Sequence, residues 1–123
     1  MTVLVTMSDH APRIDRPTAE SGFRAAVAEY PGCGMDAIKG HYHAYAPLLM
    51  MIASADEEVS PKVCQAFAKR AEAPGNFESI VFEGAEHNFD DPGKAKQSNP
   101  ANRSAKRKAM QQAESFFRTP LLP

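Results

Sequence analysis

The stretch Leu48-Leu49-Met50-Met51-Ile52-Ala53-Ser54-Ala55-Asp56-Glu57-Glu58-Val59-Ser60-Pro61 decides the fold of this 123-residue chain. Its first six residues form a continuous apolar run, which is typical of a strand that is covered on both faces of a sheet. Near its other end, Ser60 can cap a helix, and Pro61 can occupy the first helical position, where its missing N–H costs nothing. The stretch therefore predicts a buried strand, an acidic loop and a helix, in that order.

Two further strands are predicted on either side of this stretch. The mostly apolar run Phe23–Tyr30 is stopped by Pro31-Gly32, and Phe77–Phe82 forms another apolar run. At the amino terminus, Thr2–Thr6 could be a fourth, short strand because β-branched residues dominate it. The polar residues that follow, as far as Gly22, are predicted to form a loop.

Two helices complete the pattern. The first begins at Pro61 and is predicted to end at Pro74-Gly75, and the second runs from about Ala101 to Arg118 after a long loop. Each carries an apolar stripe at helical spacing: Val63, Cys64, Phe67, Ala68 and Ala71 in the first, and Ala105, Ala109, Ala113, Phe116 and Phe117 in the second. Strands that alternate with helices predict an α/β fold, with a mostly parallel sheet of three to four strands flanked by helices.

Composition excludes several classes of protein. The chain has 14 Lys+Arg against 15 Asp+Glu and a formal net charge of -1, so neither nucleic acid nor an anionic membrane surface is an expected partner. The longest apolar run, residues 46–53, is far shorter than the roughly 20 residues of a membrane span. The first seven residues do not look like a secretory signal, so we expect a soluble, cytoplasmic protein as the chain stands, although a parent enzyme could be exported.

The metal-binding and thiol residues are few. Cys33 and Cys64 are too few for a disulfide scaffold or a four-thiolate zinc site, and they could form one bridge or remain unpaired. The sequence gives only weak support for a thiol redox role, because the two cysteines are 31 positions apart and do not form a Cys-x-x-Cys pair. His41-x-His43 is a weak metal signal, and a polar loop is the simpler interpretation. We therefore predict no metal and no cofactor.

The candidate site residues are Asp56 and His87, each of which lies just past the end of a predicted strand. The carboxyl ends of parallel strands gather ligands and catalytic groups, so the two side chains can meet there if their strands are neighbours. A carboxylate that accepts from one imidazole nitrogen leaves the other nitrogen free as a base, which is half of a hydrolase triad. The alternative is a solvated acidic turn, with Glu57 and Glu58, and an ordinary loop histidine.

Three segments carry a family resemblance: Tyr30-Pro31-Gly32-Cys33, residues 47–61 leading to Cys64, and Gly84-Ala85-Glu86-His87-Asn88-Phe89-Asp90. Together they resemble the dienelactone hydrolase family. The resemblance implies a partial α/β-hydrolase fold, in which residues 23–123 are the C-terminal part of the domain and residues 1–22 are unassigned. It also implies hydrolysis of a small-molecule carboxylic ester or lactone, with Asp56 as the acid that orients the histidine and His87 as the general base.

The chain departs from that family at the nucleophile, a Cys or Ser on a Gly-x-(Ser/Cys)-x-Gly elbow. No two of its seven glycines are four residues apart, so the chain contains no such elbow. Ser8, Ser21, Ser54 and Cys33 are possible substitutes, but none has the strained strand-to-helix setting. We expect a hydrolase that is inactive alone; the alternative is a non-catalytic truncated remnant or interaction module of the same fold. Exposed edges of so small a sheet also make self-association possible.

Overall fold

The fold is seen in a computed structural model, which describes residues 2–8, 21–35, 38, 40–71 and 76–121. The elements in chain order are α1 (Thr2–Thr6), β1 (Ala26–Glu29), β2 (Leu48–Ala53), α2 (Pro61–Ala71), β3 (Phe77–Phe82), α3 (Lys94–Gln97) and α4 (Pro100–Leu121). The three strands form one parallel sheet in the order β1-β2-β3. The predicted α/β class is confirmed, with three strands in the described part of the chain.

Strand β2 lies at the centre of the sheet, and all six of its side chains are buried. Because successive side chains point to opposite faces, Leu48, Met50 and Ile52 pack into one core cluster with residues of α1 and α2. The alternate side chains, Leu49 and Met51 among them, pack into a second cluster with residues of α4. This double coverage explains why the sequence of β2 is continuously apolar.

The predicted strand at the amino terminus is wrong, because Thr2–Thr6 forms the short helix α1. The Met7 N–H donates to the carbonyl oxygen of Val3 at 2.9 Å, which is a helical bond. Leu4 and Met7, each 1% exposed, belong to one core cluster. A helix places residues three apart on the same face, whereas a strand would turn them to opposite faces, so burial of this pair overrides the β-branched composition.

The ends of several elements differ from the sequence-based expectations. Strand β1 is shorter than the predicted run from Phe23 to Tyr30, whereas α2 begins at the predicted residue, with the Val63 N–H donating to the capping Ser60 Oγ at 3.3 Å. The long loop before the last helix contains the unpredicted α3. The predicted helix stop at residues 74–75, and most of the loop predicted before Gly22, lie outside the described residues.

Helix α4 begins at Pro100, one residue before the expected start. Asn99 Oδ1 accepts a hydrogen bond from the Ala101 N–H at 2.9 Å, which caps the first turn. None of the helices in the described part of the chain is both long enough and apolar enough to cross a lipid bilayer.

Candidate active site

The two predicted site residues are brought together by the pairing of β2 with β3. The pairing ends with Ala53 opposite Phe82, and it is extended by hydrogen bonds from the Ser54 N–H to the Phe82 carbonyl oxygen and from the Ala55 N–H to the Ala85 carbonyl oxygen, at 3.1 and 2.9 Å. The loops after the two strands therefore leave the sheet side by side. His87 Nδ1 lies 2.8 Å from Asp56 Oδ2.

The Asp56 carboxylate is held on both oxygens. Its side chain is 2% exposed, and Oδ1 accepts hydrogen bonds from the backbone N–H groups of Glu58 and Val59, at 2.8 and 2.9 Å. Oδ2 is thereby aimed at His87 by the turn itself. Since a carboxylate can only accept, the proton between them lies on Nδ1 of the imidazole, and Nε2 is the nitrogen left for chemistry.

The His87 ring packs against Tyr30, which follows β1. The two ring centroids are 4.7 Å apart, and the Tyr30 hydroxyl donates to Asp90 Oδ1 at 2.8 Å. Burial and this hydrogen bond to Asp90 raise the pKa of Tyr30 well above its usual range, so the hydroxyl keeps its proton and remains a donor. Tyr30 and Asn88, the residue that follows His87 in the chain, both have left-handed backbone, with φ of 40° and 56°.

Glu58 contacts the other nitrogen of the same ring, a contact that sequence reasoning missed. Its Oε2 lies 3.0 Å from His87 Nε2, and its side chain is 66% exposed. The alternative interpretation of the sequence placed Glu58 in a solvated acidic turn, and the exposure of the Glu58 side chain agrees with that interpretation. The sequence carries no signal that would aim this exposed side chain at His87, because a glutamate can adopt many rotamers in a turn.

Asn102, in the first turns of α4, fixes the loop that carries His87. It is 0% exposed; its Oδ1 accepts from the Glu86 N–H at 2.9 Å, and its Nδ2 donates to Glu86 Oε2 at 2.7 Å and to the Lys96 carbonyl oxygen at 3.0 Å. The hydrogen bond from Asn102 lowers the pKa of the Glu86 carboxyl, and nearby Lys96 adds to the effect. Asn102 was not among the residues predicted from the sequence. The signal that could have found it is a polar residue three positions before Ala105, on the buried stripe of α4.

Gly84 allows that anchored loop to lie close to α4. Its φ is +75°, and a Cβ built on it would lie 3.2 Å from the Ala101 Cβ. A side chain there would be strained by the backbone conformation and crowded by the helix, so glycine is required at this position.

A groove of about 490 Å³ lies beside β1, and His87 is among the residues that line it. Its walls come from α1, from β1 and from the residues that follow β1, Tyr30 to Gly32. The Ala26 N–H donates to the Pro47 carbonyl oxygen, and the Tyr30 N–H donates to the Met51 carbonyl oxygen, so both groups face β2. The backbone groups of Val27 and Glu29, which alternate with them, therefore point away from β2. Among the described residues, no strand pairs with this outer edge.

The possible substitute nucleophiles have other roles or positions in the structure. Cys33 is joined to Cys64 in a disulfide. The sequence left open whether the two cysteines pair, and because they do, Cys33 has no free thiol to act as a nucleophile. Ser54 Oγ accepts from the Gly84 N–H at 2.7 Å and donates to Glu83 Oε1 at 3.0 Å, so it closes a turn. Ser8 is buried in an isolated bridge to Ala44, and Ser21 is exposed.

The structure describes both histidines of the weak metal signal His41-x-His43. His41 is exposed and His43 is half-buried, and within the described ranges no three His, Cys, Asp or Glu side chains are grouped so as to hold a metal ion.

Comparison with known proteins adds a family and a fold. The family model described as "Dienelactone hydrolase family" matches residues 14–121. A propionate-bound esterase from the planctomycete Thermogutta terrifontis superposes with a TM-score of 0.59 at 17% identity, covering 93% of this chain and 50% of that one. The native form of that esterase gives 0.56 at 19% identity, covering 92% and 48%. The apo form of Thermogutta terrifontis esterase 2 gives 0.55 at 23%, covering 87% and 46%.

These likenesses show that the chain shares the α/β fold of those esterases. The chain spans about half of the length of the esterases that it matches. No functionally curated protein matches it.

Proposed function

Because this chain belongs to the dienelactone hydrolase family, we propose that Asp56 and His87 are the acid and the general base of a site that hydrolyses a small-molecule carboxylic ester or lactone. The observation that carries the proposal is the 2.8 Å contact between His87 Nδ1 and the buried Asp56 Oδ2. In this role His87 Nε2 takes the proton of an attacking hydroxyl or thiol and later gives it to the leaving alcohol. Asp56 holds the ring in the required tautomer and stabilises its charged form.

The surroundings of His87 favour an uncharged ester over an anionic one. Glu58 contacts the ring, Asp90 holds Tyr30 against it, and Glu29 lies in the wall of the adjoining groove. Burial and the nearby Asp90 raise the pKa of Glu29, which indicates that negative charge is already disfavoured there. A substrate carboxylate would add to that repulsion. A small neutral ester is therefore the substrate class that we propose.

The chain alone is proposed to be catalytically inactive. Residues 23–123 supply the acid–base part of the domain, whereas the 123-residue sequence contains no nucleophile elbow. Loss of a triad member costs acyl-transfer enzymes several orders of magnitude in rate, and loss of one oxyanion-hole donor costs about 10²–10³-fold. The elbow supplies both the nucleophile and one oxyanion-hole N–H. Loss of both would leave no measurable hydrolysis above the spontaneous rate.

The outer edge of β1, with which none of the described strands pairs, supports a second candidate function, that of an interaction module. Backbone donors and acceptors of Val27 and Glu29 face the groove, and an extended segment of another chain could pair with them. A segment that brought a nucleophile past His87 Nε2 would complete the site. Sedimentation over a hundredfold range of concentration tests for pairing of two copies, and a constant monomer mass would refute self-association.

Hydrolysis of p-nitrophenyl propionate separates these possibilities. We expect the wild-type chain to match a heat-treated sample. Turnover that is lost in His87→Ala but kept in His41→Ala, an exposed histidine as matched control, would support the acid–base assignment and refute the proposed inactivity. Turnover unaffected by His87→Ala would refute the acid–base assignment. If no turnover is seen, the Nδ1 proton of His87 provides the test by NMR. We expect its downfield resonance to disappear in Asp56→Ala, and its persistence would refute the pairing.

A further inference from the structure

We propose that Glu58 is a positioning residue, which holds Nε2 of His87 until a nucleophilic hydroxyl or thiol replaces it. The proposal starts from a single contact, the 3.0 Å distance between Glu58 Oε2 and His87 Nε2. Its interpretation rests on the proposed function, since Nε2 is the nitrogen that would receive the nucleophile's proton. The contact itself can be tested without any hydrolysis.

One turn brackets the imidazole ring at both nitrogens. The backbone N–H of Glu58 donates to Asp56 Oδ1, while the other oxygen of Asp56 holds Nδ1 and the side chain of Glu58 reaches Nε2. The turn residue that orients the buried carboxylate is therefore the same residue that covers the free nitrogen. Its two contacts with the site come from different atoms, so the side chain can leave without disturbing Asp56.

The bracketed ring cannot act as a base. Carboxylates only accept hydrogen bonds, so the Glu58 contact requires a hydrogen on Nε2, and a nitrogen that donates to Glu58 cannot at the same time accept a nucleophile's proton. When Glu58 withdraws, Nδ1 keeps its proton through Asp56, and Nε2 can become the acceptor that a nucleophile requires. The other ionisable groups near the ring are Tyr30, whose ring packs against it, and Asp90, which holds the Tyr30 hydroxyl.

The two carboxylates differ in how firmly they are held. The Asp56 side chain is 2% exposed and is fixed by two backbone donors, whereas the Glu58 side chain is 66% exposed. Exposed ion pairs contribute up to about 1 kcal/mol, which corresponds to a factor of about five in an equilibrium. The Glu58 contact is therefore weak enough for a hydroxyl or thiol to displace, while the Asp56 contact persists.

The test measures how fast diethyl pyrocarbonate modifies His87 at pH 7, because this reagent attacks an unprotonated imidazole nitrogen. Mass spectrometry of the peptide that contains His87 separates it from the other histidines. We expect Glu58→Gln to react about two- to fivefold faster than the wild type, as loss of an exposed ion pair implies. Glu57→Gln, which removes the neighbouring exposed charge, is the matched control and should react at the wild-type rate.

Two further readouts exclude a merely structural effect. Salt at 1 M screens exposed charges, so the ratio of the Glu58→Gln rate to the wild-type rate should fall towards one. In Glu58→Gln the ¹⁵N shift of His87 Nε2 at pH 7 should move towards that of an acceptor nitrogen, while the shift of Nδ1 changes little. Equal modification rates in Glu58→Gln and wild type at low salt would overturn the proposal. Failure of the proposed function would appear instead as ester turnover that His87→Ala does not affect or, where no turnover is seen, as persistence of the His87 Nδ1 resonance in Asp56→Ala.

Discussion

Replacement of Asn102 by Leu should destabilise the chain by about 3 kcal/mol, because it removes three part-buried hydrogen bonds of a fully buried amide, at roughly 1 kcal/mol each. The Asn102 amide is 0% exposed and bonds to the Glu86 N–H, the Glu86 carboxylate and the Lys96 carbonyl oxygen. Leucine has a similar volume, so the loss of a filled space adds little. The cost comes mainly from the Glu86 N–H, which loses this partner, and from the Lys96 carbonyl oxygen, which keeps only its bond from the Asn99 N–H at 3.2 Å.

Urea unfolding followed by circular dichroism measures this change directly. For a chain of this size, about 3 kcal/mol also corresponds to a fall in Tm of roughly 10 °C. Gln112→Leu, an exposed position on the same helix α4, is the matched control and should change the free energy of unfolding by less than about 0.5 kcal/mol.

The same substitution should alter the candidate site, since Glu86 immediately precedes His87. We expect the Nδ1 proton resonance of His87 to broaden or shift in Asn102→Leu and to remain unchanged in Gln112→Leu. A loss of less than 1 kcal/mol in Asn102→Leu would refute the reasoning, because it would mean that the freed backbone groups find other partners without cost.

Two further predictions concern the disulfide and Glu29. Reduction of the Cys33–Cys64 bond, which spans 31 positions, should lower the free energy of unfolding by about 3–4 kcal/mol; equal urea midpoints with and without reductant would contradict this. Burial and Asp90 raise the pKa of Glu29 in the folded chain, so its stabilising contribution is present at low pH and is lost as pH rises through that pKa. Glu29→Gln should therefore have a higher Tm than wild type at pH 8 and an equal Tm near pH 3, whereas an equal Tm at both would refute it.

Much of the sheet was predictable because its signals are local and strong. The run Leu48–Ala53 is apolar without interruption, and Ser60-Pro61 marks a helix start, so β2 and the beginning of α2 follow from the sequence. The amino-terminal helix α1 was not predictable from composition. Its conformation depends on where Leu4 and Met7 find burial, and those contacts come from residues about 40 positions away, such as Tyr42, whose hydroxyl donates to the Leu4 carbonyl oxygen at 2.6 Å.

Some features of the candidate site could likewise be predicted from the sequence, and others could not. The positions of Asp56 and His87 just beyond the ends of two strands could be inferred from the sequence, and the pairing of β2 with β3 in the structure makes those strands neighbours. The contacts of Glu58 and Asn102 could not, because a rotamer in an exposed turn and an amide partner on a distant helix depend on tertiary geometry. Cys33 and Cys64 lay between these cases, since the sequence allowed either one bridge or two unpaired thiols and did not decide whether the bond forms.

Every group that orients His87 comes from a residue within this chain. The Asp56 turn is fixed by its own backbone donors, the loop before His87 is anchored by Asn102, and Tyr30 packs against the ring from the end of β1. The geometry of the acid–base pair therefore does not depend on a nucleophile. It follows that a segment pairing with the outer edge of β1, which no strand in the described part of the chain occupies, would meet a preformed histidine, and the main change required at the site would be departure of the exposed Glu58 side chain.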